Sequence, residues 1–341
     1  MRRSFDIIRM NFQHPLHLAS GSLEYTETET YCPSDTLFSA VLACSFQLYG
    51  EDFDAEAMLK GVRVSSAFPY AKFGDHVEHF FPKPFSRLPL HPESNKQEEA
   101  KISKRLKKIQ FLGQSYFEGC LGAILSESIP DTHFLQKGKF LSSKLSNDSV
   151  VDTIILKEDH QQRVRVPDQF QREQEAPANS EPFLQKRQYF AENAGLFFFV
   201  DFDDEDQKTP FYAALRLLAD NGLGTDRNVG NGQFEWEAAN LELQLPENAT
   251  YQLAMGLFCP TKDDLTDTIQ LDNSFYELRR RGGWISSSHN SEHLQLRKRS
   301  AYMFSEGSIF SLQEAGVQPK GNHLDLRPKW DNPIHPIWRS G

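Results

Sequence analysis

The chain has 341 residues, with 37 Lys and Arg against 47 Asp and Glu, for a net charge of −10. That balance excludes a protein that coats nucleic acid over its whole surface, but not a local basic groove, because fields are screened within about 8 Å at physiological salt. No apolar run reaches the length of a bilayer span and MRRSFDIIRMNF has no signal-peptide apolar region, so a cytoplasmic location without membrane contact is expected.

The length fits two domains. Alternation over Arg3–Phe12 predicts an opening strand, and Pro15–Leu18 a second extended stretch. Pro33-Ser34-Asp35 supplies a helix start, and Thr36–Tyr49 carries an apolar face at helical spacing. A short helix at Ala55–Lys60 follows, then strands at Val62–Phe68 and His76–Phe81. Prolines from Pro82 to Pro92 mark a loop, and helical patterns cover Lys96–Leu106 and Phe111–Ile124.

Leu135–Pro182 is irregular. Val150–Leu156 alternates like a strand, whereas Gln161–Pro182 lacks apolar periodicity and reads as an exposed insertion. A boundary near Pro182–Gly195 divides the chain into units 1–190, with an insertion at about 135–190, and 191–341. In the second unit Leu196–Phe202 is a buried strand and Pro210–Asn221 a helix. Phe234–Leu245 and Tyr251–Phe258 are strands, Lys262–Ile269 a short helix, and Phe275–Ile285 and Ala301–Phe310 further strands. This order predicts an α+β fold with a ferredoxin-like, RRM-like unit, and the first unit as a diverged copy of it.

The functional signal concentrates in Asn221–Trp236, NGLGTDRNVGNGQFEW. Gly222, Gly224, Gly230 and Gly232 surround Thr225, Arg227 and Asn228. Repeated glycine exposes N–H groups that can form an anion-binding nest. A P-loop is excluded because Gln233-Phe234 follows Gly232 where Lys-Ser or Lys-Thr is needed. A dinucleotide fingerprint is excluded because this loop leaves a helix and enters a strand. Binding to a polynucleotide backbone survives, with Arg227 on phosphate and Phe234 or Trp236 stacking on a base; a plain polar connection is the other reading.

In Glu277–Trp284 alternation sends Arg279 and Arg281 to one face and Arg280 to the other, as a basic surface or a solvated edge. Ser34, Asp35 and Thr36 read either as a helix cap or as an Asp that positions a metal or water against a phosphodiester. The histidines, including the pairs His14/His17, His76/His79 and His289/His293, lack metalloprotease-type spacing. Cys32, Cys44, Cys120 and Cys259 form no C-x-x-C pair, so no metal or cofactor is called for and a reducing compartment is the default.

Several short blocks, in order, resemble one family. CPSDTLFSAVL at 32–42 is similar to the helix start of RAMP proteins from type III CRISPR effector complexes. VSSAFPY at 64–70, FPKP at 81–84, the glycine-rich loop, FYELRRRGGWI, RKRSAYMFSEGSIF and the terminal HPIWRSG resemble segments of the fourth subunit of the type III-A Csm complex. The resemblance implies two RRM-like domains and an inserted thumb-like hairpin within the irregular middle, where Arg163 and Arg165 lie. It also implies a non-catalytic subunit that holds the repeat-derived 5′ handle of the CRISPR RNA and contacts both the large signature, polymerase- or cyclase-like subunit and a backbone RAMP subunit. Carried over to this chain, Gly222, Gly224, Thr225, Arg227, Asn228, Gly230, Gly232, Arg279, Arg281, Ser34, Asp35 and Thr36 are the expected RNA-binding residues, with no catalytic role for Asp35. The rival readings are a CRISPR-RNA processing endoribonuclease of related fold and a scaffold that binds only proteins.

Overall fold

Strand β1, Arg2–Phe12, is apolar on both sides. Phe5 and Ile7 face one core, Ile8, Met10 and Phe12 the other, and all but Phe5 are fully buried. Such a strand belongs inside a sheet that is covered on both faces. The computed structural model describes residues 1–18, 27–86, 104–122, 129–144, 155–165, 181–283, 285, 297–328 and 338–339.

The helices are α1 Ser34–Tyr49, α2 Ala55–Gly61, α3 Gln114–Leu121 and α4 Lys208–Asn221. The strands after β1 are β2 Val62–Val64, β3 Phe68–Phe73, β4 His76–Pro82, β5 Phe111–Gly113, β6 Phe134–Leu135, β7 Phe140–Leu141, β8 Leu156–Arg165, β9 Glu181–Phe190, β10 Ala194–Phe202, β11 Phe234–Gln244, β12 Tyr251–Leu253, β13 Ile269–Phe275, β14 Leu278–Arg281, β15 Ala301–Phe304, β16 Ile309–Leu312, β17 Leu324–Asp325 and β18 Trp338–Arg339.

A nine-stranded sheet runs β11-β1-β10-β3-β4-β5-β7-β6, with β2 also paired to β10. Both neighbours of β1 are antiparallel to it, with Ile8 opposite Phe198 and Phe12 opposite Phe234. Strands from both sides of the boundary expected at 182–195 thus share one sheet. Sequence periodicity reports which residues are apolar, not which distant strand will pair with them.

On one face Leu196, Phe198 and Val200 of β10 pack with Leu37, Phe38, Val41 and Leu42 of α1 and with Phe211, Leu215 and Leu218 of α4. On the other, Phe197 packs with Phe68, Phe80, Phe81 and Leu241, and with Tyr116 and Phe117 of α3. This explains why LFFFVDF reads as a continuous apolar run. Burying each such ring is worth ~1.5–3 kcal/mol relative to its exposed state. The C-terminal part forms smaller sheets, β12-β16-β13 and β14-β15, around Ile269, Phe304 and Phe310.

Several expectations change. The helical pattern at Phe111–Ile124 splits into β5 and α3, because Phe111 and Leu112 pair with β4 and β7. Val62–Phe68 breaks at Ser65-Ser66, and Ala301–Phe310 breaks at Gly307, whose φ is +86°. Tyr251–Phe258 is a strand only to Leu253, with Phe258 bridged to Phe304; Phe275–Ile285 contributes only the end of β13 and then β14. Lys262–Ile269 holds a single π-helical turn, Asp264–Thr268. Gln161–Pro182 is not wholly irregular: its ends belong to a ten-pair antiparallel hairpin, β8-β9, which forms its own two-stranded sheet. Of the expected helix at 96–106 and strand at 150–156, residues 96–103 and 150–154 lie outside the described residues.

Candidate nucleic-acid interface

Helix α4 ends at Gly222, and the chain then turns back through the glycine-rich loop into β11. Gly222, Gly224, Gly230 and Gly232 have φ values of +85°, +88°, +81° and +74°, the left-handed region that favours glycine. Three of them are needed for close approach to the protein's own backbone. A Cβ would lie 2.4 Å from Asn231 O at Gly222, 2.4 Å from His17 O at Gly224 and 1.9 Å from Leu223 O at Gly232. At Gly230 nothing comes nearer than Gln233 Oε1 at 4.0 Å.

The loop's amides are committed in the same way. Gly222 N donates to Leu218 O (2.8 Å), Leu223 N to Gly232 O (2.8 Å), Thr225 N to His17 O (3.0 Å) and Gly232 N to Pro15 O (2.9 Å). Val229 N and Gly230 N donate to Asp226 O and Arg227 O. The anion nest expected of these glycines is therefore filled largely by the loop and by segment 15–17. What faces outward is the 3₁₀ turn Arg227–Val229, with Arg227, Asn228 and Val229 exposed. The Arg227 side chain makes no hydrogen bond or ion pair among the described residues. Of the candidates for base stacking, Phe234 packs inside and Trp236 is half-buried against the protein's own aromatic rings. Phe234 lies 5.3 Å from the Phe12 ring, and Trp236 stacks on Tyr212 at 5.5 Å with the planes 6° apart.

The structure brings Ser34, Asp35 and Thr36 together with Arg279 and Arg281, but as one internal network. Asp35 is 0% exposed, and both its oxygens accept from Arg281, from Nε and from one terminal nitrogen, at 2.9 Å each. The same nitrogen donates to Thr36 Oγ1 at 2.8 Å. Arg279 bonds the Tyr31 hydroxyl and Glu29, and Tyr31 donates to Glu306 at 2.9 Å. Burial, opposed in part by Arg279 and Arg281, holds the Glu29 carboxyl above its ordinary value. Two expectations are corrected here. Arg281 does not extend a basic surface, because β14 turns both odd-numbered arginines inward; Arg280 is the exposed one. Nor do Ser34 and Asp35 cap α1 through their side chains: Pro33 is the cap residue, and Ser34 Oγ accepts from Leu257 N at 3.0 Å, tying α1 to the chain after β12.

The hairpin β8-β9 meets the loop across segment 15–18. Leu16 and Gln188 exchange backbone hydrogen bonds of 2.8 and 2.9 Å, and His17 Nδ1 contacts Lys186 O at 2.6 Å. One terminal nitrogen of Arg163 lies 2.9 Å from Asp226 Oδ2, on the glycine-rich loop. Sequence reasoning left Arg163 aside and missed Asp226. The alternation of Arg163 and Arg165 around Val164 was the signal for a strand, hidden by the absence of any core-facing apolar period.

Other candidates resolve as structure. His79 Nε2 accepts from Arg9 Nε at 3.2 Å, and burial together with the Arg9 charge pushes its pKa down to about 3. His76 Nε2 pairs with Glu78 at 2.9 Å. Burial pushes the Cys120 thiol up to about 12, and all four cysteines are free. No group of three or more His, Cys, Asp or Glu side chains with metal-binding geometry occurs among the described residues, and no helix there is long and apolar enough to cross a membrane.

Residues 247–341 match the family model of the CRISPR Csm4 C-terminal domain. Over 355 residues the chain is 24% identical to the CRISPR system Cms protein Csm4 of Methanocaldococcus jannaschii, covering 89% of this chain and 84% of that protein. It is 24% identical over 335 residues to the Csm4 protein of Streptococcus thermophilus, covering 95% and 93%. A chain of the Csm3-Csm4 subcomplex in the type III-A CRISPR-Cas interference complex superposes with a TM-score of 0.61 at 20% identity, over 99% of each chain. A chain of the Csm1-Csm4 cassette in complex with pppApA superposes with a TM-score of 0.60 at 19% identity, over 99% of this chain and 95% of that one. These structures share the mixed α+β fold of this chain. The C-terminal domain model, the near full-length relatives and the fold agree: the chain is similar to Csm4 proteins of CRISPR systems over nearly its whole length.

Proposed function

We propose that this protein is a non-catalytic, RNA-binding subunit of a type III-A CRISPR effector complex. It holds the repeat-derived 5′ handle of the CRISPR RNA and bridges the large signature subunit to a backbone RAMP subunit. The assembly is supported by the relatives of the same fold, solved with Csm1 in one case and Csm3 in another. The observation that carries RNA binding is the turn Arg227–Val229. It is an exposed cationic apex with no partner for its guanidinium among the described residues, fixed at its base by Gly222, Gly224 and Gly232. A preorganised arginine loses less entropy when it closes on phosphate than a floppy one. Asn228 and Gly230 complete the apex, and Thr225 lies beneath it with its hydroxyl buried. The non-catalytic reading is supported by Asp35, whose carboxylate is buried against Arg281 and cannot reach a phosphodiester.

The test is titration of the full-length protein with labelled RNA carrying the handle sequence, across a series of salt concentrations. Arg227→Ala is expected to weaken binding about tenfold, the size of one charge-assisted hydrogen bond. It should also lower the slope of log K against log salt by roughly 0.7, one single-strand phosphate contact. Unchanged affinity with an unchanged slope in a folded variant removes the proposed role. Cleavage of repeat RNA by the purified protein would remove the non-catalytic reading.

A further inference from the structure

Strand β13 is an edge strand: the order β12-β16-β13 places no partner on its outer side among the described residues. Its inner side is only partly paired. Gln270 stands opposite Ser311 and Phe275 opposite Ile309, so residues 271–274 face a single residue of β16, Phe310, and bulge away from it. The bulge is pinned from within. Ser274 Oγ donates to Gln270 O at 2.6 Å and accepts from Ser311 N at 3.0 Å. Beside it lies an open groove of about 550 Å³, walled by Phe85, Leu271, Phe275 and Tyr276, with Asp272 and Glu277 as its charged groups.

Two separate parts of the chain build this groove. Phe85 N donates to Gly307 O at 2.9 Å. Gly307 has φ +86°, and a Cβ there would lie 2.7 Å from Lys83 O, so glycine is what lets segment 83–85 come this close. On the opposite wall Tyr276 stands edge-on to the Phe304 ring, at 4.9 Å and 90°, and Leu271 packs on the small C-terminal core. Sheet edges are ordinarily blunted by bulges and charges. Here the bulge comes with rings left in water: Phe275 is 50% exposed, Tyr276 40% and Leu278, just beyond, 55%. Asp272 and Glu277 make no ion pair among the described residues, and Asp267 stands exposed just before β13. Apolar rings framed by carboxylates without cations fit a segment in which apolar and basic side chains alternate, the pattern of an extended strand.

We propose that this edge and groove are a docking site for an extended basic segment of a partner protein. The segment adds to β13 as a further strand, lays an apolar side chain against Phe85 and Phe275, and sets lysine or arginine on Asp272 and Glu277. In strand addition of this kind, main-chain pairing supplies affinity and side-chain pockets supply selectivity. The site does not depend on the RNA-binding reading above: its charged groups are carboxylates, which repel phosphate. A second copy of this chain, with its net charge of −10, would likewise bring like charge to the rim.

The experiment is fluorescence anisotropy of a labelled peptide, lysine and valine in alternation around a central phenylalanine, titrated with the full-length protein. Physiological ionic strength screens long-range attraction to the acidic chain. Control peptides separate the interactions: one with serine for the apolar residues, one with glutamate for lysine, and one with N-methylated amides along one edge. Each should bind about tenfold more weakly or worse. Phe275→Ser, at an exposed position and so with an unchanged melting temperature, should weaken the basic peptide about tenfold. Asp272→Asn with Glu277→Gln should weaken it about fivefold, as two solvent-exposed ion pairs allow. Equal binding of the serine peptide, or an unchanged affinity in Phe275→Ser, would reduce the effect to diffuse attraction between opposite charges and overturn the proposal. Undiminished binding of the N-methylated peptide would overturn strand addition. No binding of the basic peptide at millimolar concentration would make the bulge a guard against edge pairing and overturn the docking site altogether. Self-association of the protein alone, abolished by Phe275→Ser, would assign the groove to a second copy and overturn the partner.

Discussion

Arg281→Met tests whether β14 supplies a strut or an RNA contact. Asp35 is completely buried, the Arg281 side chain is 9% exposed, and the two share paired contacts of 2.9 Å. Truncating the arginine leaves a carboxylate in the interior with only Thr36 and its neighbours to satisfy it. Breaking a buried pair in this way costs ~3–5 kcal/mol, a large part of the ~5–15 kcal/mol that holds a typical domain folded. Asp35→Leu should cost a similar amount for the converse reason. The double substitution, which removes both charges, should cost well under the sum, because neither ion is left stranded. Urea unfolding at neutral pH, followed by circular dichroism, measures all three. A loss below about 1 kcal/mol for either single variant, or additive losses in the double, would refute a structural pair. If Arg281→Met instead lowered RNA affinity with stability intact, the inward placement of this arginine would not describe the working protein.

Gly232→Ala should destabilise the glycine-rich loop more than any other substitution there, because φ is +74° and the new Cβ would lie 1.9 Å from Leu223 O. Gly230→Ala, at φ +81° in open space, should cost only about 1 kcal/mol of backbone strain, and comparing the two melting temperatures separates packing from conformation. His79 has a folded pKa of about 3 against an unfolded value of about 6.5, so the unfolded chain takes up a proton first as the pH falls. Its contribution is complete above about pH 6.5 and is lost at up to ~1.4 kcal/mol per pH unit as the pH drops towards the folded value. His79→Gln, which keeps an acceptor for Arg9, should flatten that part of the stability profile relative to wild type; parallel profiles would count against a neutral buried imidazole.

Local order was legible where one face of an element differs from the other. The α1 face at Leu37, Phe38, Val41 and Leu42, the α4 face at Phe211, Leu215 and Leu218, and the doubly apolar β10 were all readable as pattern. What stayed hidden depended on contacts far apart in sequence. Arg279 and Arg281 read as surface charge because their partners, Glu29, Tyr31, Asp35 and Glu306, are distributed across the chain. The hairpin β8-β9 was hidden for the opposite reason. It projects with little core beneath it, so Val164 and Leu184 are exposed and no apolar face gives it a period.

The glycine-rich loop shows why a glycine count alone does not define an anion site. Glycine admits close approach without saying what approaches. Here the approaching groups are the carbonyls of His17, Leu223 and Asn231, and the amides that would have formed a nest are bonded to Leu218, Gly232, His17 and Pro15. If the loop meets phosphate as proposed, it does so through side chains. The glycines stiffen the base of the loop, so that Arg227 stands at its apex and Asp226 is held opposite Arg163. Side-chain cations release counterions when they meet phosphate. On the function proposed above, recognition therefore falls to the Arg227 side chain at the apex and not to the four glycines.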